Sequence, residues 1–383
     1  MKVLYILSNE GLDGSFLTWV NFIKEAVKYD VNPYVVCKPQ LVLTDYFQSI
    51  HKEVGFQYKT MNVYESVKQF PPKSFKGKVH WSIKLIRAVW PKIKFLHNLM
   101  KYARVVKPDI IDTNVGTVHE GLWASFFLRI PHVWHLREYQ DIGCGYWIYP
   151  TKSIYKIVLK CSNVITLTED LKQYYGLSKS EKVFVIPDGV YHTDEERYEH
   201  QKKPYFLCAS RIHYQKHIDD AILAFAEISH KYPEYKLLLA GDGGIEYVQE
   251  MKLLADQTGV SNRIEFLGFC NKETIKQLML EAKAVLVPSS YEGFGLMTAE
   301  SIFNGTLVIG RANGGTCEII KETGGILYEG EFHELAKAME KLLELSLTDY
   351  EEITKRAMAL ANNKYAIDIN SKRIVDVYKA LIR

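Results

Sequence analysis

The chain repeats one pattern along most of its length: a short apolar run that suits a buried strand, then a stretch with helical periodicity. Alternating strands and helices indicate parallel βαβ units whose sheet is covered by helices on both faces. Strand-type runs occur at residues 3–7, 34–37, 109–114, 132–137, 163–168 and 182–187, and again at 205–210, 236–241, 263–268 and 284–288. The sequence therefore predicts doubly wound α/β architecture.

The pattern restarts after a polar stretch at residues 192–204, which we interpret as a linker. A chain of 383 residues exceeds what one compact core usually holds, so two domains are expected. We predict an N-terminal domain over residues 1–190 and a C-terminal domain over residues 191–366. A final helix is expected to begin at about residue 367, after a polar break.

Composition excludes several classes of protein. The six cysteines form no CxxC pair, which argues against a disulfide framework and a zinc site and suits a reducing cytoplasm. No stretch without Lys, Arg, Asp or Glu is longer than ten residues, too short for a transmembrane helix. The first apolar run, residues 3–7, is too short for the core of a signal peptide. We therefore expect a cytoplasmic protein.

One segment of the first half is strongly basic. Residues 66–107 hold eleven lysines and arginines and no acidic residue, with six aromatic residues interleaved. A helix is expected over 79–106, interrupted or kinked at Pro91. The segment is either a solvated helix face or a surface that meets acidic lipid headgroups or a lipid-phosphate acceptor at a membrane. Nucleic acid is the weaker interpretation, because no recognised nucleic-acid-binding motif accompanies the segment.

Two common nucleotide-binding motifs are absent. The glycine-rich stretch GDGGIE at 241–246 has Glu246 where the dinucleotide fingerprint needs its third glycine. No GxxxxGK[ST] sequence occurs, which disfavours a P-loop kinase or ATPase. A ligand is instead expected at the loops that follow the second-half strands, because open α/β sheets bind ligands beyond the carboxyl ends of their strands.

Two of these loops carry groups suited to an anion. Arg211 and Lys216 lie five positions apart after the strand at 205–210, where both can point at one anion beside a helix N-terminus. Gly243, after the next strand, allows the backbone to approach a neighbour closely. Two surface cations and a simple turn are the alternative interpretations.

The stretch SSYEGFGLMTAES follows the last of these strands. Gly293 and Gly295 relax the backbone, so that consecutive amides can face an anion at the start of a helix. Glu292 ends the strand and is expected to point into the cleft. Glu300 is expected two turns down the helix on the same side, where its carboxylate can accept hydrogen bonds from sugar hydroxyls. An ordinary helix N-terminus is the alternative.

These motifs together resemble the donor-binding half of retaining glycosyltransferases of the GT-B fold, family 4, also called group 1. The resemblance rests on SR-x4-K at 210–216, GDG at 241–243 and EGFGL-x3-E at 292–300, with weaker matches in IPDGV at 186–190 and NGGTCEII at 313–320. It implies two Rossmann-like domains that face each other across a cleft. It also implies that the terminal helix, 367–383, crosses back to the N-terminal domain.

The resemblance assigns most roles to the C-terminal domain. Arg211 and Lys216 would hold the donor diphosphate and stabilise the leaving nucleoside diphosphate. Glu292 would bind hydroxyls of the donor sugar, and Glu300 would bind the ribose hydroxyls. Backbone amides would support the distal phosphate at Phe294, Gly295 and Leu296.

The remaining roles are also implied by the resemblance. The GDG turn with Gly243 belongs to the donor site, and the loop holding Phe269 and Cys270 would meet the base through its backbone. In the N-terminal domain, Gly14 would approach the phosphate, and His135 matches a histidine near the sugar and acceptor. A packed residue at a strand end is the alternative for His135, and Arg137 and Glu138 are either an acceptor-site pair or a structural ion pair.

Four positions depart from the family pattern. His217 stands where relatives usually have glycine, Asp188 replaces a common asparagine, and Thr316-Cys317 replaces an apolar residue followed by proline. The N-terminal loop NEGLDGS separates two glycines that many members have adjacent. These departures leave the identity of the donor open.

The resemblance implies transfer of a sugar from a nucleoside-diphosphate sugar, with UDP-sugar favoured, to a hydroxyl with retention of configuration. No D-x-D pair lies in a loop, so no metal is expected, and no cofactor is permanently bound. The expected acceptor is a glycan or a lipid-linked molecule of cell-surface polysaccharide or glycolipid synthesis. The basic-aromatic segment would make peripheral contact with the inner face of the plasma membrane. A sugar-nucleotide epimerase, an inactive partner subunit and a pyridoxal-phosphate phosphorylase are the alternatives.

Overall fold

A computed structural model describes residues 1–195 and 198–382. The chain divides into two compact units, Met1–Gly189 with the segment from Ile367 onward, and Val190–Ala366. The polar stretch 192–204, which we interpreted as a linker, includes residues 196 and 197, and these two lie outside the described residues.

The first unit is built on a parallel seven-stranded sheet. Its elements are β1 (Lys2–Ile6), α1 (Gly14–Ala26), β2 (Asn32–Cys37), α2 (Pro39–Val42), α3 (Asp45–Val54), β3 (Gln57–Thr60), β4 (Val67–Gln69), α4 (Phe75–Val106), β5 (Ile110–Thr113), α5 (Glu120–Leu128), β6 (His132–Leu136), β7 (Tyr146–Ile148), α6 (Lys152–Cys161), β8 (Asn163–Thr166), α7 (Glu169–Tyr174) and β9 (Val183–Val185). The strand order is β3-β2-β1-β5-β6-β8-β9. Strands β4 and β7 pair with each other as a separate antiparallel ribbon.

The second unit is built on a parallel six-stranded sheet. Its elements are β10 (Lys203–Ala209), α8 (Ile218–Ile228), β11 (Lys236–Ala240), α9 (Ile245–Gln257), β12 (Ile264–Gly268), α10 (Lys272–Glu281), β13 (Ala282–Val287), α11 (Leu296–Phe303), β14 (Val308–Arg311), α12 (Gly314–Thr323), β15 (Ile326–Tyr328), α13 (Phe332–Leu343) and α14 (Leu347–Lys364). The strand order is β12-β11-β10-β13-β14-β15. The predicted fold class, two doubly wound α/β domains, is confirmed.

Strand β1 explains why the sequences of these strands are unbroken apolar runs. Val3 and Tyr5 belong to one buried cluster of the first unit, and Leu4 and Ile6 belong to another. Successive side chains of a strand point to opposite faces, so a strand covered on both faces needs apolar residues at every position. The covering helices on the two faces supply the rest of each cluster.

The last helix, α15 (Ile367–Ile382), completes the core of the first unit. Its side chains Val375 and Tyr378 join the buried cluster that includes Trp19 and Ile23 of α1. The Tyr378 ring meets Phe22 edge-on at a centroid distance of 6.2 Å. The C-terminal segment therefore packs as one more helix on this sheet.

Helix α4 differs from its prediction in two ways. It begins at Phe75 instead of residue 79, because the Ser74 side chain accepts a hydrogen bond from the Gly77 amide and caps the helix. We expected an interruption or a kink at Pro91; one helix includes this residue, so the interruption is wrong and the kink stays a prediction. A proline removes a single amide donor, and the buried side chains Phe95 and Leu99 anchor the helix beyond it.

Candidate active site

The loop after β10 holds the two predicted phosphate-binding cations. It forms a short 3-10 turn over Tyr214–Lys216, and His217 then adopts left-handed backbone angles, φ 48° and ψ 50°, where α8 begins. The left-handed residue ends the turn, so that the helix begins at Ile218, and a glycine would adopt this conformation at lower cost. The guanidinium of Arg211 is exposed and makes no hydrogen bond or ion pair within residues 1–195 and 198–382.

Lys216 pairs with Glu292 across 76 positions of sequence. The Lys216 ammonium donates to a Glu292 carboxylate oxygen at 2.6 Å, with the two side chains 24% and 22% exposed. The loops after β10 and β13 therefore place a cation and a carboxylate side by side. Two of the residues that the sequence assigned to one site are in contact.

Gly243 has a close neighbour within the protein. It forms an isolated parallel bridge with Ile212, and a Cβ atom at this position would lie 2.1 Å from the Ile212 carbonyl oxygen. The Ile212 amide donates to the Asp242 carbonyl at 2.8 Å. The glycine therefore lets the loop after β11 pack on the loop that carries Arg211.

The EGFG segment opens α11 as the sequence indicates. Gly295 has φ 94° and ψ 53°, and a Cβ there would lie 3.0 Å from the Thr316 hydroxyl oxygen. Phe294 is buried, with its ring 5.6 Å from that of Tyr365. Leu296 is the first residue of the helix, whose first amides have no acceptor inside the helix.

A second glycine pair fixes this segment. A Cβ on Gly315 would lie 1.9 Å from the Phe294 carbonyl oxygen, and one on Gly314 would lie 2.6 Å from that of Glu292. The Gly315 amide donates to the Glu292 carbonyl at 2.8 Å. The NGG sequence supports the backbone of the EGFG segment, a role that sequence reasoning did not assign to it.

Glu300 is a partly buried carboxyl group on α11. Burial raises its pKa to about 7, while Lys272 and Lys276 on α10 oppose the shift. Its carboxyl group forms no hydrogen bond among the described residues. A carboxyl group with free acceptor positions and a pKa near neutrality can bind a ligand hydroxyl.

Cys270 lies in the loop after β12. Its thiol is 3.6 Å from the Gly268 carbonyl oxygen, a local contact within the loop. The preceding Phe269 is exposed. The loop therefore offers backbone and one free aromatic ring at the carboxyl edge of the second sheet.

In the first unit, His135 is buried on β6. Its Nε2 atom lies 2.8 Å from a carboxylate oxygen of Asp112, and the Tyr378 hydroxyl donates to the same oxygen at 2.5 Å. Burial and then Asp112 raise the pKa of Tyr378 well above its usual value, so this phenol stays protonated. Sequence reasoning missed Asp112 and Tyr378, which lie in two different elements.

Arg137 forms a structural ion pair with Asp188, not with Glu138. Its Nη1 atom donates to both Asp188 carboxylate oxygens at 2.6 and 2.7 Å, and its Nε and Nη2 atoms donate to Asn114. The aspartate at position 188, a departure from the family pattern, is therefore matched by an arginine. Arg137, Asp188 and His135 line one small polar cavity of this unit.

Gly14 is the first residue of α1 and is exposed. The preceding Asp13 caps this helix by accepting a hydrogen bond from the Phe16 amide at 3.0 Å. The Asn9 side chain donates to both Asp13 carboxylate oxygens. The loop after β1 is therefore held by its own side chains.

Among the described residues, one group of three side chains could offer ligands to a metal: His217, Asp219 and Asp220. Arg311 already forms an ion pair with Asp220. None of the helices in the described ranges combines the length and apolar character that crossing a membrane requires.

Comparison with known proteins decides the class of the second unit. Residues 192–364 match the family model described as glycosyl transferases group 1. The second unit is a group 1 glycosyltransferase domain. The matched residues include the loops that carry Arg211 and Glu292 and the helix that carries Glu300.

Relatives of this chain share sequence beyond that domain. An uncharacterised glycosyltransferase of Methanocaldococcus jannaschii is 29% identical over 302 residues, which cover 72% of this chain and 76% of the relative. The alpha-monoglucosyldiacylglycerol synthase of Streptococcus pneumoniae is 28% identical over 313 residues, 73% of this chain and 68% of the relative.

Solved structures share the fold of this chain. Anabaena HepE in complex with UDP has a TM-score of 0.79 and 19% identity, with each chain covered completely. A sucrose-phosphate synthase from Thermosynechococcus elongatus has a TM-score of 0.74 and 17% identity, with 99% and 98% of the two chains covered. At these identities, the likeness concerns the fold.

Proposed function

We propose that this glycosyltransferase transfers a sugar from a UDP-sugar to a hydroxyl group of a glycan or lipid-linked acceptor, with retention of configuration and without a metal. Its setting is the synthesis of cell-surface polysaccharide or glycolipid, in the cytoplasm at the membrane surface. The ion pair between Lys216 and Glu292 is the observation that carries the proposal. It joins a phosphate-binding group and a sugar-binding group at one edge of the second sheet.

The donor diphosphate binds between positive groups of two loops. Arg211 and Lys216 contact its oxygens, and the first amides of α11, at Gly295 and Leu296 after Phe294, add the positive end of a helix. Negative charge grows on the diphosphate as its bond to the sugar breaks. Cations that already contact the bound diphosphate stabilise this charge, which is the work a metal ion performs in other enzymes.

Sugar and nucleoside are held by carboxylates. Glu292 leaves Lys216 to accept hydrogen bonds from hydroxyls of the donor sugar, and Glu300 accepts them from the ribose. The loop with Cys270 meets the base through its backbone, and Gly243 keeps the phosphate loop in place. Charged hydrogen bonds of this kind contribute roughly 1.5–3 kcal/mol each.

Retention requires that the new bond forms on the face of the sugar that the phosphate leaves. The bond from the anomeric carbon to the phosphate oxygen breaks, and a bond to the acceptor oxygen forms. The departing phosphate oxygen takes the acceptor proton. In the first unit, Gly14 and His135 take the roles toward phosphate and sugar that the resemblance implies.

Two comparisons indicate which donor and which acceptor to test first. HepE has been solved with UDP, with UDP and glucose, and with UDP-glucose, which favours UDP-glucose as the first donor to test. The Streptococcus pneumoniae relative is named for a glucosylated diacylglycerol, which favours a lipid acceptor.

Helix α4 supports contact with a membrane. Val79, Ile83, Ile86, Trp90 and Ile93 are exposed and recur every three or four positions, so they form one apolar stripe along the helix. Exposed lysines and arginines lie at other positions of the same helix. An apolar stripe bordered by cations fits the surface of a bilayer that contains anionic lipids.

Calorimetric titration with UDP, GDP and ADP in the presence of EDTA tests the donor site. UDP is expected to bind, and Glu300→Ala is expected to lose roughly 1–3 kcal/mol of binding free energy. Exposed Glu329, changed to alanine, is the matched control and should leave binding unchanged. Failure of every nucleotide to bind would favour an inactive partner subunit.

Proton NMR of UDP-glucose hydrolysis tests retention. A retaining enzyme without acceptor should release the α anomer of glucose first, before mutarotation mixes the anomers. Release of the β anomer first would contradict retention.

A further inference from the structure

An apolar groove on the first unit runs along α4 beside the β4–β7 ribbon. Trp81 of α4 stacks on Trp147 of β7 at a centroid distance of 4.9 Å, which holds the ribbon against the helix. Ile86 and Trp90 are each 72% exposed. The apolar and aromatic side chains that line the groove are Leu85, Ile86, Val89, Trp90, Ile93 and Tyr149.

A smaller pocket of about 20 Å³, with a mostly apolar exposed lining, adjoins the groove. Leu85, Val89 and Tyr149 line both of them. The polar side chains of the pocket are Glu65, Ser66, Lys68 and Lys92. They offer a carboxylate, a hydroxyl and two ammonium groups, a mixture of acceptors and donors that suits the hydroxyls of a polar headgroup.

Lys92 is held in place at the junction of groove and pocket. Its ammonium donates to the Ser66 hydroxyl and lies 3.7 Å from a carboxylate oxygen of Glu120. Ser66 and Glu120 are buried, and Lys92 is one-fifth exposed. Lys92 therefore places a fixed donor in the pocket, beside the residues that the pocket shares with the groove.

The pocket is tied to the carboxyl edge of the first sheet. The Ser8 hydroxyl, just beyond β1, donates to Glu65 at 2.8 Å. The Ser66 amide donates to the carbonyl of Thr117, in the loop after β5. Doubly wound sheets bind their ligands at this edge, so a headgroup at the mouth of the pocket lies beside the place where substrate is expected.

We propose that the groove and pocket together form the acceptor site, and that its occupant is a membrane lipid with a hydroxyl-bearing headgroup. One hydrocarbon chain lies along α4, and the headgroup lies at the mouth of the pocket beside Glu65 and the exposed Lys68. This inference rests on the proposed function and names the class of its acceptor.

Charge favours this occupant over a soluble glycan. Lys76, Arg87 and Lys94 are exposed at α4 positions beside the apolar stripe. They match the negative surface of the bilayer from which such a lipid would enter the groove. A soluble glycan could contact the polar side chains at the pocket, but it would leave the apolar lining of the groove in water.

Calorimetry with alkyl glucosides as monomers, below their critical micelle concentration, tests the site. These probes join an uncharged sugar headgroup to one chain. Octyl glucoside is expected to bind saturably and glucose far more weakly, because affinity should rise by up to about fourfold for each methylene that the groove buries. Binding of glucose as tight as that of octyl glucoside would overturn the proposal, as would absence of saturable binding.

Variants locate the binding. Trp90→Ser and Lys68→Gln each alter an exposed side chain of the site and are expected to weaken octyl glucoside binding by about tenfold and fivefold. Leu43→Ser and Lys160→Gln alter exposed residues outside the groove and should have no effect. Equal losses in both sets would contradict the proposal.

UDP titration of the same variants separates the two proposals. UDP should bind all four variants as tightly as the unaltered protein. Loss of octyl glucoside binding with UDP binding retained is the expected result for Trp90→Ser. If UDP fails to bind the unaltered protein while octyl glucoside binds, the donor proposal fails and the lipid site stands.

Discussion

Tyr378, near the end of the chain, donates a hydrogen bond to Asp112 at 2.5 Å across 266 positions of sequence. Asp112 also accepts from His135, so one buried carboxylate joins β5, β6 and α15. A buried carboxylate needs its hydrogen-bond partners, because an unmade bond leaves a desolvated charge. The position of His135 therefore depends on the C-terminal helix.

Removal of the Tyr378 hydroxyl should destabilise the first unit. Tyr378→Phe keeps the ring against Phe22 and leaves Asp112 with one donor fewer, so the free energy of unfolding should fall by about 1–3 kcal/mol. Urea denaturation followed by circular dichroism measures this change. Tyr46→Phe is the control, since the Tyr46 side chain is exposed, and an equal loss in both variants would contradict the prediction.

The ion pair between Arg137 and Asp188 should stabilise the same unit. Arg137→Met leaves a largely buried carboxylate unpaired and is expected to cost about 3 kcal/mol. Asp188→Asn keeps an acceptor for the guanidinium and should cost less. Lys372→Met breaks a pair of side chains that are 59% and 53% exposed, and there the loss should stay below about 1 kcal/mol. Equal losses for Arg137 and Lys372 would show that Asp188 finds another partner.

Strand positions were the most predictable part of this fold, for a physical reason. The runs at 236–241 and 284–288 agree with β11 and β13 to within two residues at each end, because strands covered on both faces are apolar at every position. The β4–β7 ribbon was missed. Its strands are three residues long, too short for a period to be visible.

Contacts between residues that are distant in sequence were the least predictable part of the candidate site. The sequence indicated Lys216 and Glu292 separately, but only the packed sheet shows that they form an ion pair. Asp112 lies inside an apolar run without any motif, so nothing local marks it as the partner of His135. His217 was recognised as a departure, but its left-handed backbone was not foreseen.

Release of Lys216 should strengthen binding of the bare nucleotide. Without ligand, Glu292 forms an ion pair with Lys216. UDP lacks the donor sugar, so it gives Glu292 no donor-sugar hydroxyls to bind in place of Lys216. Glu292→Gln should therefore bind UDP about two- to fivefold more tightly, given that a partly exposed pair contributes up to about 1 kcal/mol. The same variant should bind UDP-glucose no better and transfer sugar more slowly. Calorimetry with UDP and with UDP-glucose measures these affinities. Tighter binding of both ligands by Glu292→Gln would contradict the proposal that Glu292 exchanges Lys216 for the donor sugar.

Vesicle binding should depend on the charge of α4 and the loop before it. Changing the exposed Lys73, Lys76, Lys84 and Lys94 to glutamine should weaken binding to vesicles of phosphatidylcholine with phosphatidylglycerol by about fivefold per lysine. The effect should shrink as salt is added, and UDP affinity should not change. The control replaces four exposed lysines elsewhere on the first unit: Lys52, Lys59, Lys160 and Lys179. Equal weakening in both sets would remove the membrane interpretation of α4.

Glu300 should make the stability of the second unit depend on pH. Its pKa is raised from the model-compound value of 4.5 to about 7 in the folded protein, so the folded state holds a proton that the unfolded state has lost between these values. The resulting stabilisation is fully present below pH 4.5 and is lost as pH rises through 7, up to about 3 kcal/mol.

Glu300→Gln keeps the size of the side chain and cannot ionise, so it should remove this loss. The difference in unfolding free energy between variant and unaltered protein should therefore grow from pH 5 to pH 8, as measured by urea denaturation at each pH. Glu329→Gln changes an exposed carboxylate and should give a constant difference. A constant difference for Glu300→Gln as well would place the pKa of Glu300 at an ordinary value and would contradict the shift that burial causes.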